Sequence, residues 1–166
     1  MAKALAIVGF SGSGKTELIC RLLDWLARRG LKVAVLKHTH HELGPGDEGK
    51  DTWRFRQAGA RLVALAAPGL LQISREFPAD PPLSEALAVL ASQADLILVE
   101  GYKSSSLPKI LVVNPPFKES PPDLTQVIAA VSPVPVASAG PVFQPADVAA
   151  IGTFILDYFG LTGVGA

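Results

Sequence analysis

The sequence holds a single cysteine, Cys20. No disulfide can form within the chain, and its cysteine usage gives no sign of an oxidising compartment. It also lacks net charge, because fifteen Lys and Arg balance fifteen Asp and Glu. Nothing in that balance demands nucleic acid or an anionic membrane as a partner, and a local basic patch is the most it leaves room for. No uninterrupted apolar run approaches the ~18 residues of a membrane-spanning helix. The opening lysine and "ALAIVGF" faintly resemble a leader, but the run is short, leads into a glycine loop and has no small-residue cleavage pattern. It reads as a buried strand, and the expected location is the cytoplasm.

What is present is a core. Apolar residues make up 49% of the 166 and charged residues 18%. That composition suits a globular α/β protein, expected as one domain over 1–166. A domain of this size buries roughly 70% of the surface that its unfolded chain exposes. "KALAIVG", "LKVAVLK", "DLILVEG", "KILVVN" and "VIAAVS" are apolar runs of strand length. "RLVALAA" is a further strand, and "LLQISREF" an edge or hairpin strand. Helices are expected over 14–29, where Leu18, Ile19, Leu22, Leu23 and Leu26 share a face, and over 83–93. A short helix should start at a capping Asp51 and stop at Gly59. A last helix follows Pro145, with Val148, Ile151, Ile155 and Tyr158 on one face and Gly160 as its stop. Strands covered on both faces and alternating with helices predict a mainly parallel sheet flanked by helices.

The densest chemistry lies between the first strand and the first helix. Gly9, Phe10, Ser11, Gly12, Ser13, Gly14, Lys15 and Thr16 match G-x-x-x-x-G-K-[ST], the phosphate-binding P-loop. Glycines let successive N–H groups point into one concavity, and the helix start adds unpaired donors and a positive dipole end. Lys15 reaches the outer phosphates as a point charge, and the Thr16 hydroxyl completes the shell of a Mg²⁺ ion. Glu17 closes the candidate nucleotide-binding set. Glu100 ends the strand "DLILVE" at the edge where ligands bind in open α/β sheets. There it can hold a Mg²⁺-bound water or orient an attacking one, so it is the candidate catalytic and metal residue.

All three histidines, His38, His40 and His41, fall in "KHTHH" after the second strand. They read as an anion- or substrate-contacting loop, with a solvated loop or a structural zinc site as alternatives. Lys50 and Arg54 in "GKDTWRFR" are candidates for a second phosphate-bearing molecule. Asp51 is a helix cap, a Mg²⁺ neighbour, or both. Arg54 and Arg56 are two apart, so one helix face cannot present both, and Arg54 is the one assigned to the site.

Taken in order, "GFSGSGKTEL", "LKHTHH", "GKDTWRFRQAGA", "DLILVEGYK" and the closing "PVF…ADVAAIGTFIL" resemble the molybdopterin-guanine dinucleotide biosynthesis protein B family. The resemblance covers most of the chain. It implies a three-layer P-loop NTPase fold and a homodimer that binds GTP with Mg²⁺ and hydrolyses it slowly at most. The family's partner is the guanylyltransferase that joins GMP to molybdopterin, and molybdopterin itself is a further candidate contact. No [NT]-K-x-D guanine signature occurs in the chain. Guanine preference therefore comes from the resemblance alone. The competing reading is a small-molecule kinase in which His38, Lys50 and Arg54 hold the acceptor. A nucleotide-free structural or metal-binding module is the remote third.

Overall fold

The computed structural model describes residues 2–39, 44, 46–115 and 125–162. Where the sequence suggested one domain, the chain divides into two compact units. One is Met1–His38 with Leu83–Ala166, and the other is Thr39–Pro82.

The first unit is built on a sheet of six parallel strands: β1 (Lys3–Val8), β2 (Val33–Lys37), β5 (Leu96–Glu100), β6 (Lys109–Val112), β7 (Val127–Val131) and β8 (Val142–Phe143). Their order is β2-β5-β1-β6-β7-β8. The two-residue β8 was not legible as a strand. Helices cover both faces. Leu5 and Ile7 of β1 face a cluster with Leu18, Ile19, Leu22 and Leu26 of α1 (Lys15–Ala27) and Ile151 and Ile155 of α4 (Val148–Phe159). Ala6 and Val8 face Ile97, Val99 and the partly buried Leu87 and Leu90 of α3 (Leu83–Ala91). Alternate residues of one strand thus enter two cores, which is why these strands read as unbroken apolar runs. Burial at about 25 cal/mol per Å² of apolar surface is the main force holding the layers.

Helix ends follow the expected chemistry at α1 and α4. Gly30 and Gly160 are left-handed, and Leu31 and Leu161 N–H groups reach back to the carbonyls of Leu26 and Leu156. One face was misread: Tyr158 is exposed, and Gly152 takes the inner position instead. There its missing side chain admits the Trp25 ring, 2.4 Å from where a Cβ would stand.

Lys109 is the unexpected core residue. It is completely buried in β6, and its ammonium donates to the carbonyls of Ser105, Leu107 and Thr125.

The second unit contains α2 (Asp51–Gln57) and an antiparallel hairpin, β3 (Leu62–Ala67) with β4 (Leu70–Arg75). The hairpin expectation holds. The cap expectation does not: Lys50 is the N-cap and Asp51 the first helical residue. Asp51 still lies in the first turn, where a carboxylate meets the positive dipole end. The unit is held by a clamp at Arg56, whose buried guanidinium pairs with Asp47 and reaches Glu76 at 3.2 Å. The Thr52 hydroxyl donates to the same Asp47 carboxylate. These bonds, the Arg56 guanidinium's first, hold the Asp47 carboxyl down to about 2.

Candidate functional site

β1 is flanked by β5 on one side and β6 on the other, and the chain leaves its carboxyl end into the glycine loop. This is where the strand order turns, the expected crevice of an open α/β sheet. The loop folds tightly for a local reason. A Cβ at Gly9 would stand 2.3 Å from the Val112 carbonyl oxygen and 2.8 Å from Ser13 Oγ, so no other residue fits. Gly14 caps α1 in the left-handed conformation, and the helix opens on Lys15. The first turn of a helix carries N–H groups that have no acceptor within it. Ser13 Oγ lies buried beside them with no hydrogen-bond partner among the described residues.

The side chains that follow converge. Lys15 Nζ donates to the Phe10 carbonyl at 2.7 Å, bridging its own loop. Thr16 Oγ1 donates to Glu100 Oε2 at 3.1 Å. Strand register makes that contact: Ile7 of β1 pairs with Glu100 of β5, which pairs in turn with Lys37 of β2. The Lys37 ammonium stands 3.7 Å from Glu100 Oε1. Lys103 lies across the loop, with its ammonium 5.7 Å from the centre of the Phe10 ring. Burial pushes the Lys15 ammonium below its ordinary value; Lys103 and Lys37 act the same way, and Glu100 opposes them.

Behind this cluster the backbone is packed close. A Cβ on Gly101, at φ 104°, would lie 3.1 Å from His38 Cβ. The His38 N–H donates to the Glu100 carbonyl at 2.9 Å, and the His38 ring stacks on Tyr102 with centroids 4.2 Å apart. Tyr102 holds a left-handed φ of 49° to make that stack.

On the β6 side of the loop lies a cavity of about 260 Å³. Leu18, Val112, Val131 and Pro133 give it apolar walls, and Asn114 and Arg21 are among its polar groups. Arg21 is anchored by donating to the Pro145 and Ala146 carbonyls at 2.9 and 3.3 Å.

Of the residues singled out in the sequence, the loop residues, Glu100 and His38 come together on this edge. Glu17 lines the cavity. His40 and His41 lie outside the described residues. Lys50, Asp51 and Arg54 belong to the second unit, where Arg54 pairs with Asp51 at 3.7 Å and both are exposed. Lys37, Tyr102, Lys103, Arg21 and Asn114 were missed. Only Lys37 carried a signal, as the last residue of a strand on the ligand edge.

A mostly parallel six-stranded sheet, helices on both faces and a glycine loop between β1 and α1 define a three-layer P-loop NTPase fold. The family model of molybdopterin guanine dinucleotide synthesis protein B matches residues 4–133, and the chain belongs to that family. It is 40% identical over 133 residues to the molybdopterin-guanine dinucleotide biosynthesis adapter protein of Haemophilus influenzae, covering 77% of this chain and 72% of that one. With the Escherichia coli adapter protein it shares 32% identity over 166 residues, 95% of this chain and 94% of the relative. The crystal structure of a molybdopterin-guanine biosynthesis protein B superposes with a TM-score of 0.75 at 31% identity, over 93% of this chain and 99% of that one. For Bacillus subtilis MobB the TM-score is 0.74 at 27% identity, over 93% and 96%.

Proposed function

We propose that this chain is the nucleotide-binding adapter of molybdopterin guanine dinucleotide synthesis, taking GTP with Mg²⁺ on the glycine loop and assisting the guanylyltransferase that attaches GMP to molybdopterin. The observation that carries the reading is the bond from the Thr16 hydroxyl to the Glu100 carboxylate, one residue along from Lys15. Two hard oxygen donors next to a glycine loop that opens a helix fit Mg²⁺ and phosphate together. Bound there, Mg²⁺ would share phosphate oxygens and offset their charge. The chain's own part is to cradle the phosphates, supply the Lys15 charge and hold Thr16 and Glu100 in register through the β1–β5 pairing. The nucleoside goes to the cavity beside Asn114, on the opposite side of the loop from Glu100. Turnover is slow, and the bound nucleotide governs contact with the enzyme partner; His38 in the first unit and, separately, Lys50, Asp51 and Arg54 in the second are the residues for that contact. The work is cytoplasmic, as the synthesis of an intracellular cofactor requires.

A homodimer belongs to the same proposal. Each strand of the β3–β4 sheet has one edge without a partner strand among the described residues; Leu62, Leu71 and Ile73 are exposed on one face of the hairpin, and Leu65 and Leu70 on the other. A second copy of the hairpin pairs with one of these edges in a self-complementary way and brings its apolar side chains against the Leu62, Leu71 and Ile73 face.

The test is a binding titration with GTP, GDP, ATP and GMP, with and without Mg²⁺, on the parent, Lys15→Ala and Glu100→Gln proteins. Lys15→Ala should abolish the GTP·Mg²⁺ thermal shift with the fold intact. Glu100→Gln should keep binding and weaken its dependence on Mg²⁺. Equal shifts in the parent and Lys15→Ala proteins would refute the reading, and a phosphorylated small-molecule product would replace it with the kinase.

A further inference from the structure

Reading the loop as a phosphate site leaves the charge at the β2 end of the edge unused. The Lys15 ammonium lies within the field of Glu100, Lys103 and Lys37, and Lys37 pairs with the Glu100 carboxylate at 3.7 Å. Lys15 is engaged with its own loop through the Phe10 carbonyl, and Lys103 lies against the Phe10 ring. Lys37 differs from both. It ends β2, which stands two strands from β1, or ~9–10 Å across the sheet. Its ammonium meets Glu100 Oε1, while Oε2 takes the Thr16 hydroxyl. The Lys37 side chain is 62% exposed and that of Glu100 only 13%. The ammonium therefore faces the open side of the site and the carboxylate its floor. With its ammonium largely in solvent and 3.7 Å from the carboxylate, Lys37 is loosely held by this pair, and the β2–β5 ladder has its own backbone bonds. A cation so placed meets whatever anionic group extends past the loop towards β2.

We infer that Lys37 is the residue by which this site tells a triphosphate from a diphosphate. Resting on the phosphate reading of the loop, the inference is that the Lys37 ammonium exchanges Glu100 for the terminal phosphoryl group. The phosphates enter along the glycine loop, and Lys15 reaches the outer ones from the loop side. A third extends the negative charge past the Thr16–Glu100 pair, where Lys37 is the next donor. No covalent bond changes. One ion pair is traded for another, and Glu100 is left free for a cation.

The experiment is calorimetric titration of the full chain with GTP, GDP, inorganic tripolyphosphate and pyrophosphate, each with Mg²⁺. Lys37→Ala should weaken GTP and tripolyphosphate about tenfold, the loss of one charge-assisted contact. GDP and pyrophosphate should stay within about twofold of the parent. Lys37→Arg should restore most of the loss. Equal weakening of diphosphate and triphosphate would overturn the inference, reducing Lys37 to a diffuse field. Unchanged or tighter triphosphate binding would overturn it too, leaving Lys37 as an ordinary partner that masks Glu100. In both cases the parent still binds GTP and the loop reading stands. A parent protein that binds none of the four ligands sinks both.

Discussion

Two strand pairs in this chain are both rich in aliphatic side chains and opposite in surroundings. "LAIV" of β1 and "LILV" of β5 are buried essentially to the last atom, between two layers of helices. "LVALAA" of β3 and "LLQISR" of β4 are nearly as apolar, yet Leu62, Leu70, Leu71 and Ile73 are all more than half exposed. The difference lies in what covers them. The hairpin has the short α2 against β3 within its unit and nothing comparable on its other face among the described residues. A two-stranded sheet is marginal by itself, and a contiguous apolar patch marks a surface that meets something. Hydrophobic content therefore says that a strand will be covered. Whether its own unit or a second copy does the covering depends on the layers around it.

The largest expected break in that comparison comes from truncating the covered pair. Leu98→Ala in β5 should destabilise the protein by about 2–5 kcal/mol, the range for a large core side chain cut back to alanine, as read by urea unfolding. An acid-induced loss confined to the second unit should come next. The Asp47 carboxyl is held at about 2 against an ordinary 3.8, chiefly by the Arg56 guanidinium and then by the Thr52 hydroxyl. A depressed carboxyl pKa contributes stability that is complete above 3.8 and disappears as pH falls through about 2. Hydrogen exchange over 46–76 should accelerate in that window ahead of β1 and β5, and Asp47→Asn should remove the difference. Smallest in stability is Leu71→Glu on the hairpin, within about 0.5 kcal/mol for the isolated subunit. Its effect should appear instead in sedimentation, as a shift from dimer to monomer. A parent protein that sediments as a monomer would remove the second copy from the account.

The sheet and the loop were legible because their signals are local. A strand buried on both faces is an apolar run, and a phosphate loop spells out its glycines, lysine and hydroxyl in order. Glu100 could be placed because it ends such a run. Lys37 ends one as well, but its meaning comes from strand order: β2 lies beside β5, and no spacing in the chain states that neighbour. Asp51 looked like a cap because its side chain suits the role, whereas the helix begins one residue earlier than that role allows. Tyr158 was assigned inward by spacing and is exposed, while Gly152, which no apolar pattern marks, is where the Trp25 ring packs. Asn114 and Arg21 become neighbours of the loop only when β6 folds beside β1 and α1 meets the segment before α4.

The buried lysine of β6 has a consequence for how the ligand edge is assembled. Its ammonium gathers carbonyls from the segment that follows Tyr102 and Lys103 and from the approach to β7. A charge enclosed in that way is tolerable only when all its acceptors are in place together. The stretch behind Glu100 and the far half of the sheet must therefore set as one piece. Loosening either part leaves the ammonium short of acceptors, so damage to one is felt by the other.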